Sequence, residues 1–412
     1  MSIASEITRI NNNIAASYTA VNNKGGTLPA TQNSANLATA IASIPSGSTP
    51  TLITKSITQN GTYNASSDNA DGYSSVTVNV SGGGGYTELP NYQVSSGVAS
   101  KRSGALTGNE FSDITSIDDY GFSQAFNECY GLTGLVSFPS LTVVGERGFN
   151  YAFTKTGVTS ISFTNPMTVG VRGFYFAFNS CTALETADLS GITSIGDYGL
   201  QRAFPASTSL TSVDLSGLTT VSSYGLNYSF SECSNLTTVD LSSLTTVGNY
   251  GLDHSFSLCT NLTNIDLSSL TTVGERGFNY AFQSCSANLE SITLSSLTDV
   301  GYYGFNYAFQ SCQALKTVNL TSLSTIGGYG LYYAFISCSG LENVYFNSLT
   351  TNTFSTDRTQ FQGMLQSTGS SKTHILHFPS NLQTTIQSLN GYPNFGGTSG
   401  YVTLAFDLPA TS

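Results

Sequence analysis

Cys233, Cys259 and Cys285 stand 26 residues apart, and a whole line of neighbouring residues keeps the same interval. A chain built this way is an array of repeats, and repeats stack. The phenylalanine before each cysteine position counts them: Phe126, Phe153, Phe178, Phe204, Phe230, Phe256, Phe282, Phe309 and Phe335, in steps of 25 to 27. Nine units are therefore legible.

Within one unit the apolar residues follow two periods. Around Leu262, Ile265 and Leu267 the pattern turns a short strand inward, and Leu270 with Val273 suits a second. After a turn at Gly277, Phe278, Ala281 and Phe282 fall at i, i+3 and i+4, which predicts a short helix. Each coil reads as strand, bend, short strand, short helix. No single unit can bury its apolar side, but stacked units bury a continuous column of Leu, Val and Phe. At about 4.8 Å per rung, nine or ten coils make a rod on the order of 45 Å long.

Leu236, Val239, Leu241, Leu244, Val247, Gly248, Ser255, Phe256 and Cys259 reproduce L-x-x-I-x-L followed by L-x-x-I-G and A-F-x-x-C. In this the chain resembles the BspA-like leucine-rich repeats over roughly residues 105–350. It departs from them by a longer insert, x-Y-G-[LF]-x-x, between the V-G and A-F elements. The resemblance implies an α/β repeat solenoid used for adhesion or ligand recognition, and it does not imply catalysis.

The domain expectations are a helical attachment segment (1–50), a small β unit (51–81), a glycine hinge (82–85), an N-terminal cap (86–110), the solenoid (111–350) and a degenerate coil with a C-terminal cap (351–412). In the first segment Ile3, Ile7, Ile10 and Ile14 form a heptad stripe extended by Val21. Isoleucine at both a and d favours three strands. Packing on a second helix at 32–44, after a turn at Gly25 and Gly26, is the alternative reading. In the β unit, KSITQNGTYNA and GYSSVTVNV alternate as two strands, with Asn60-Gly61 as a tight-turn signal. Asp68 to Gly72 does not have EF-hand spacing and reads as a polar turn. Together these first 80 residues resemble leader modules on structural proteins of phages and prophages of Gram-positive bacteria. That resemblance implies an attachment end joined to other virion proteins, with the distal domain displayed.

Charged residues make up only 9% of the chain, and its net charge is −11. With no Lys/Arg run, nucleic acid and anionic membranes are poor partners, and no membrane-length apolar run occurs. The segment MSIASEITRINNN lacks a signal-peptide apolar core, and Leu28-Pro29-Ala30-Thr31-Gln32 is not a sorting signal. Exposure on a virus particle is the expected location. Seven cysteines at one repeat position, replaced by Thr156 and Ser207 in two coils, read as buried small residues. No zinc pattern joins them to His254, His374 or His377, and no cofactor is expected.

Two kinds of column could face a ligand. The outward strand position is Asp188, Asp214, Asp240 and Asp266 in four consecutive coils, then Thr293, Asn319 and Tyr345. Like charges at strand spacing need solvation, a basic partner, a polar glycan or a calcium ion, though no calcium motif is present. Tyr228, Tyr280, Tyr307 and Tyr333 form an aromatic column with Tyr151, Phe176 and His254, and a second runs through Tyr120, Tyr198, Tyr224, Tyr250, Tyr303 and Tyr329 with Arg147, Arg172 and Arg276. These rings stack either on each other or on sugars. No catalytic pair stands out: Glu146 and Glu275 recur periodically, as structural residues do. The expected function is a non-enzymatic virion protein (fibre, baseplate or head decoration) binding a host-surface glycan or protein. A bacterial surface adhesin and, below it, a glycan-degrading spike are the alternatives.

Overall fold

The computed structural model describes residues 104–354, 359–368, 373–390, 392–397 and 400–410, together with the backbone of Leu52–Ile57, Gly72–Val78, Thr87–Leu89, Tyr92–Ser95 and Val98–Lys101. The Ile3/Ile7/Ile10/Ile14 stripe, Asn60-Gly61, Asp68 to Asp71 and the glycine run 82–85 lie outside the described residues. Two compact units emerge, one containing these five strands and one continuous from Ser103. In the first, Leu52–Ile57 and Gly72–Val78 pair in parallel. Thr87–Leu89 adds antiparallel to Gly72–Val78, and Tyr92–Ser95 forms a hairpin with Val98–Lys101.

The second unit is a parallel β-solenoid. One face is a seven-stranded sheet from Gly104–Thr107 to Asn264–Asp266, continued by a five-stranded sheet from Ser291–Thr293 to Val402–Leu408. The sheet divides at the coil where Cys285 and Leu289 are four residues apart rather than three, as Cys259 and Leu262 are. The added residue breaks the ladder there. A nine-stranded sheet, from Ser116–Ile117 to Thr325–Ile326, forms the second face. Its threonines lock coil to coil: the hydroxyls of Thr219, Thr245 and Thr271 donate to the carbonyls of Thr193, Thr219 and Thr245 at 2.9 to 3.0 Å.

The third face corrects the expected helix. From Tyr250 to Cys259 the N–H groups alternate between two destinations. Those of Gly251, Asp253, Ser255, Ser257 and Cys259 turn back three residues, while those of Tyr250, Leu252, His254, Phe256 and Leu258 donate to Glu275, Gly277, Asn279, Ala281 and Gln283 in the next coil. The result is a ribbon of overlapping β-turns in which every fourth residue has positive φ, here Tyr250 (54°), His254 (53°) and Leu258 (63°). Such a ribbon buries i, i+3, i+4 and i+7, the spacing an α-helix would also show. A helix would spend all its N–H groups internally and leave the neighbouring coil unbonded. The glycine after each first left-handed residue is needed for close approach: a Cβ on Gly277 would lie 2.7 Å from Val273 Cγ1 and 3.2 Å from the Gly248 oxygen.

The core is a set of ladders. Phe126, Phe153, Phe178, Phe204, Phe230, Phe256, Phe282, Phe309 and Phe335 are fully buried and stack face to face, with centroids 5.1 Å apart at Phe126–Phe153 and 5.5 Å at Phe309–Phe335. Beside them all seven cysteines are buried thiols. Cys233, Cys259 and Cys285 donate to the carbonyls of Phe204, Phe230 and Phe256 at 3.3, 3.1 and 3.2 Å. They serve as small donors that fit between rings.

Candidate functional site

The four aspartates of the first sheet come together in register: Asp188 pairs with Asp214, Asp214 with Asp240, and Asp240 with Asp266. They line a shallow trough of about 470 Å³ with Thr186, Ser212, Thr238 and Asn264, the outward residues two places earlier on the same strands. Each carboxylate is anchored locally. Oδ1 of Asp214, Asp240 and Asp266 accepts the N–H of Ser216, Ser242 and Ser268 at 2.9 Å. Asp188 Oδ1 takes both the N–H (3.1 Å) and the hydroxyl (2.7 Å) of Ser190. These are Asx turns, which satisfy the backbone as the strand ends. Oδ2 of each carboxylate stands outside these bonds. Neighbouring charges at about 4.8 Å repel by roughly 1 kcal/mol in water, a cost the backbone donors partly offset.

Among the described residues no three His, Cys, Asp or Glu converge as a metal-ligand set. A calcium site needs six to eight oxygens around one point, and a straight row of carboxylates, each held by its own strand end, does not make that cage. Nor does the row separate an acid from a base, since all four aspartates repeat one arrangement. Glu146 and Glu275 occupy one column five coils apart, about 24 Å at strand spacing, far beyond the roughly 5–9.5 Å of a glycosidase pair. Glu146 instead lies 3.7 Å from Arg147.

The aromatic columns are packed on themselves. Tyr228 stacks on His254 (4.4 Å), His254 on Tyr280 (4.7 Å), Tyr280 on Tyr307 (4.7 Å) and Tyr307 on Tyr333 (5.0 Å). Arg202 fills the rung between Phe176 and Tyr228, its guanidinium 5.7 and 4.9 Å from their ring centres. Gly363 closes the far end, with room for no side chain against Tyr333. The second column runs likewise through Tyr198, Tyr224 and Tyr250 at 4.8 and 4.7 Å, with Arg276 between Tyr250 and Tyr303. Both faces of Tyr280 and Tyr307 are therefore covered, and both faces of Tyr228 as well. A sugar needs a ring face, and these rings offer edges and hydroxyls. Burial, first among the causes, raises the phenol pKa of Tyr228, Tyr280 and Tyr307 above the ordinary value, so those hydroxyls stay neutral.

Several residues escaped the sequence reading. Tyr332 stands edge-on to both columns, at 86° to Tyr303 and 90° to Tyr307, and Tyr302 is 47% exposed beside Tyr303. Under the rings a polar chain runs along the solenoid: Asp253 accepts from Asn227 (2.7 Å) and Asn279 (2.6 Å) and lies 2.7 Å from His254 Nδ1. Gln201, Asn227, Asp253 and Asn279 recur at intervals of 26, so the repeat itself carried that signal.

A family model described as BspA type leucine rich repeat region matches in six copies, over residues 105–226, 150–279 and 227–363. Among solved structures, a leucine-rich repeat protein from Bacteroides ovatus ATCC 8483 is similar at 18% identity over 77% of this chain and 91% of that one, with a TM-score of 0.27. Another from Eubacterium ventriosum ATCC 27560 is similar at 22% identity over 59% and 68%, with a TM-score of 0.27. No curated protein matches the chain.

Proposed function

The chain belongs to the BspA-type leucine-rich repeat family, and from that premise we propose that it is a non-enzymatic recognition protein whose solenoid binds a polyhydroxylated glycan on a cell surface. The observation that carries this reading is the in-register trough of hydroxyl, amide and carboxylate side chains from Thr186 to Asp266. Oxygen acceptors repeated at strand spacing suit the repeated hydroxyls of a polysaccharide, and their negative charge disfavours polyanions. The covered tyrosine faces point away from a stacking mode and towards this hydrogen-bonding one.

The finer placement rests on the leader resemblance of the first 80 residues: a phage virion component, attached through its N-terminus and trimerised by Ile3, Ile7, Ile10 and Ile14. Two measurements separate the layers. Asp214→Asn with Asp240→Asn keeps the Asx-turn acceptor but removes charge, and full-length protein carrying both is expected to lose tenfold or more in binding to host envelopes. Unchanged binding would exclude the trough. The chain is expected in purified particles, and its absence there would end the virion placement. Light scattering is expected to give a trimeric mass.

A further inference from the structure

Two columns of left-handed residues run along the ribbon, and in neighbouring coils three of them are arginine where other coils carry rings: Arg147 and Arg172 in one column, Arg202 in the other. Arg147 and Arg172 are consecutive rungs, the Arg147 N–H donating to the Val171 carbonyl at 3.0 Å. Their guanidiniums stack in opposite senses. Arg147 leans back over Tyr120 (5.4 Å), whose hydroxyl accepts from its Nη1, and Arg172 leans forward over Tyr198 (4.8 Å). From Tyr120 to Tyr329 this is the one step of the column at which cation follows cation. Arg202 lies one coil on, exposed, beside Phe176. Like charges one rung apart repel by roughly 1 kcal/mol in water, and by more where rings exclude it. The protein offsets little of this. Lys155 and Lys316 are paired with Glu128 and Glu290 at 3.0 and 2.8 Å, and Arg147 has Glu146 at 3.7 Å. Among the described residues Arg172 and Arg202 form no ion pair. Val171 stands where the flanking coils carry Glu146 and Asp197, and Asp197 Oδ1 accepts the Ser223 N–H at 3.1 Å. No Lys/Arg run marks the cluster in sequence, since only the stacking of coils assembles it.

We propose that this part of the ribbon binds the oxyanion groups of an acidic polysaccharide. It lies on a different face from the aspartate trough and does not rest on that site. A guanidinium offers a planar fork to a carboxylate or a sulfate, and an oxyanion seated at the Arg147–Arg172 step, with Arg202 beside it, turns their repulsion into attraction. Tyr175, half-buried and edge-on to Tyr151 (78°) and Phe176 (73°), adds a phenol to the same patch for sugar hydroxyls. An acidic peptide fits less well. Extended, it sets same-face carboxylates about 6.7 Å apart against a rung of about 4.8 Å. It also needs backbone partners that the ribbon lacks: every N–H from Arg147 to Phe153 and from Arg172 to Phe178 is already bonded within the solenoid. A polysaccharide needs neither. The net charge of −11 opposes a polyanion at long range, but at 0.1 M salt screening confines that field to about 10 Å.

The test measures binding of oligogalacturonate, dextran sulfate and neutral dextran to full-length protein by calorimetry. At least one acidic chain is expected to bind tenfold or more tighter than neutral dextran and to weaken as salt rises. Which one binds names the oxyanion, carboxylate or sulfate. Arg172→Tyr and Arg202→Tyr each restore the ring that other coils carry in that column, so the urea midpoint is expected to hold or rise. Each is expected to lower affinity tenfold or more, the worth of a lost charge-assisted hydrogen bond. Arg276→Tyr removes the same charge four coils beyond Arg172, from a rung between Tyr250 and Tyr303, and is expected to leave affinity unchanged. Four results would overturn the proposal: no preference for either acidic chain, full affinity in folded Arg172→Tyr and Arg202→Tyr, an equal loss in Arg276→Tyr, or equal binding of poly-glutamate.

Discussion

Ser207 shows how narrowly each core position is specified. It occupies the cysteine place of its coil, is fully buried, and its hydroxyl has no hydrogen-bond partner. Thr156 at the same place donates to the carbonyl of Phe153 at 2.8 Å, and each neighbouring thiol reaches a phenylalanine carbonyl. A buried hydroxyl without a partner costs about 1–3 kcal/mol, whereas a thiol is larger and costs less to desolvate. Ser207→Cys is therefore expected to stabilise the solenoid by about 1 kcal/mol, read as a higher urea midpoint with unchanged slope. The repeat announced small residues here from the alternation of Cys, Thr and Ser. It could not announce which would find an acceptor, since that depends on where the folded chain sets the phenylalanine carbonyls, that of its own coil for Thr156 and that of the preceding coil for the thiols.

At the scale of elements, the turn ribbon is where sequence pattern and structure part company. Phe278, Ala281, Phe282 and Cys285 have helical spacing, and isolated chain physics favours a helix over repeated left-handed residues, each of which costs about 1–2 kcal/mol for an L-residue. Stacking reverses that balance. Alternate N–H groups bond to the next coil, and the left-handed residues carry the rings and guanidiniums that stack along it. Leu258 has positive φ but stands exposed outside the ring columns, so it bears the backbone cost with little return. Asparagine tolerates this conformation better. Leu258→Asn is expected to raise stability by about 0.5–1 kcal/mol, and a lower urea midpoint would contradict the account of the ribbon.

For the whole solenoid, the buried thiol column sets a pH limit. Burial pushes Cys181 up to about 11 and Cys233 and Cys312 to about 12 from the ordinary 9.0. An unfolded chain releases those protons near pH 9, while the folded chain holds them. Between pH 9 and about 12 the unfolded state thus binds fewer protons, and stability falls as pH rises. Below pH 9 this contribution is complete. The raised phenols of Tyr228 and Tyr280 act in the same direction. The urea midpoint is expected to be level from pH 6 to 8 and to drop steeply from pH 9 to 11, with the thiols unreactive to disulfide reagents until unfolding. A midpoint that stays level to pH 11 would mean that the column is not sealed. The solenoid, its strands, the Phe and Cys ladders and the in-register aspartates were all legible in the sequence by itself, because a 26-residue period can bury its apolar face in only one direction, against the next copy. The turn ribbon, the covered tyrosine faces and the open last strand, Val402–Leu408, were decided by tertiary structure, because each depends on whether a neighbouring coil is present and where it places its carbonyls and rings.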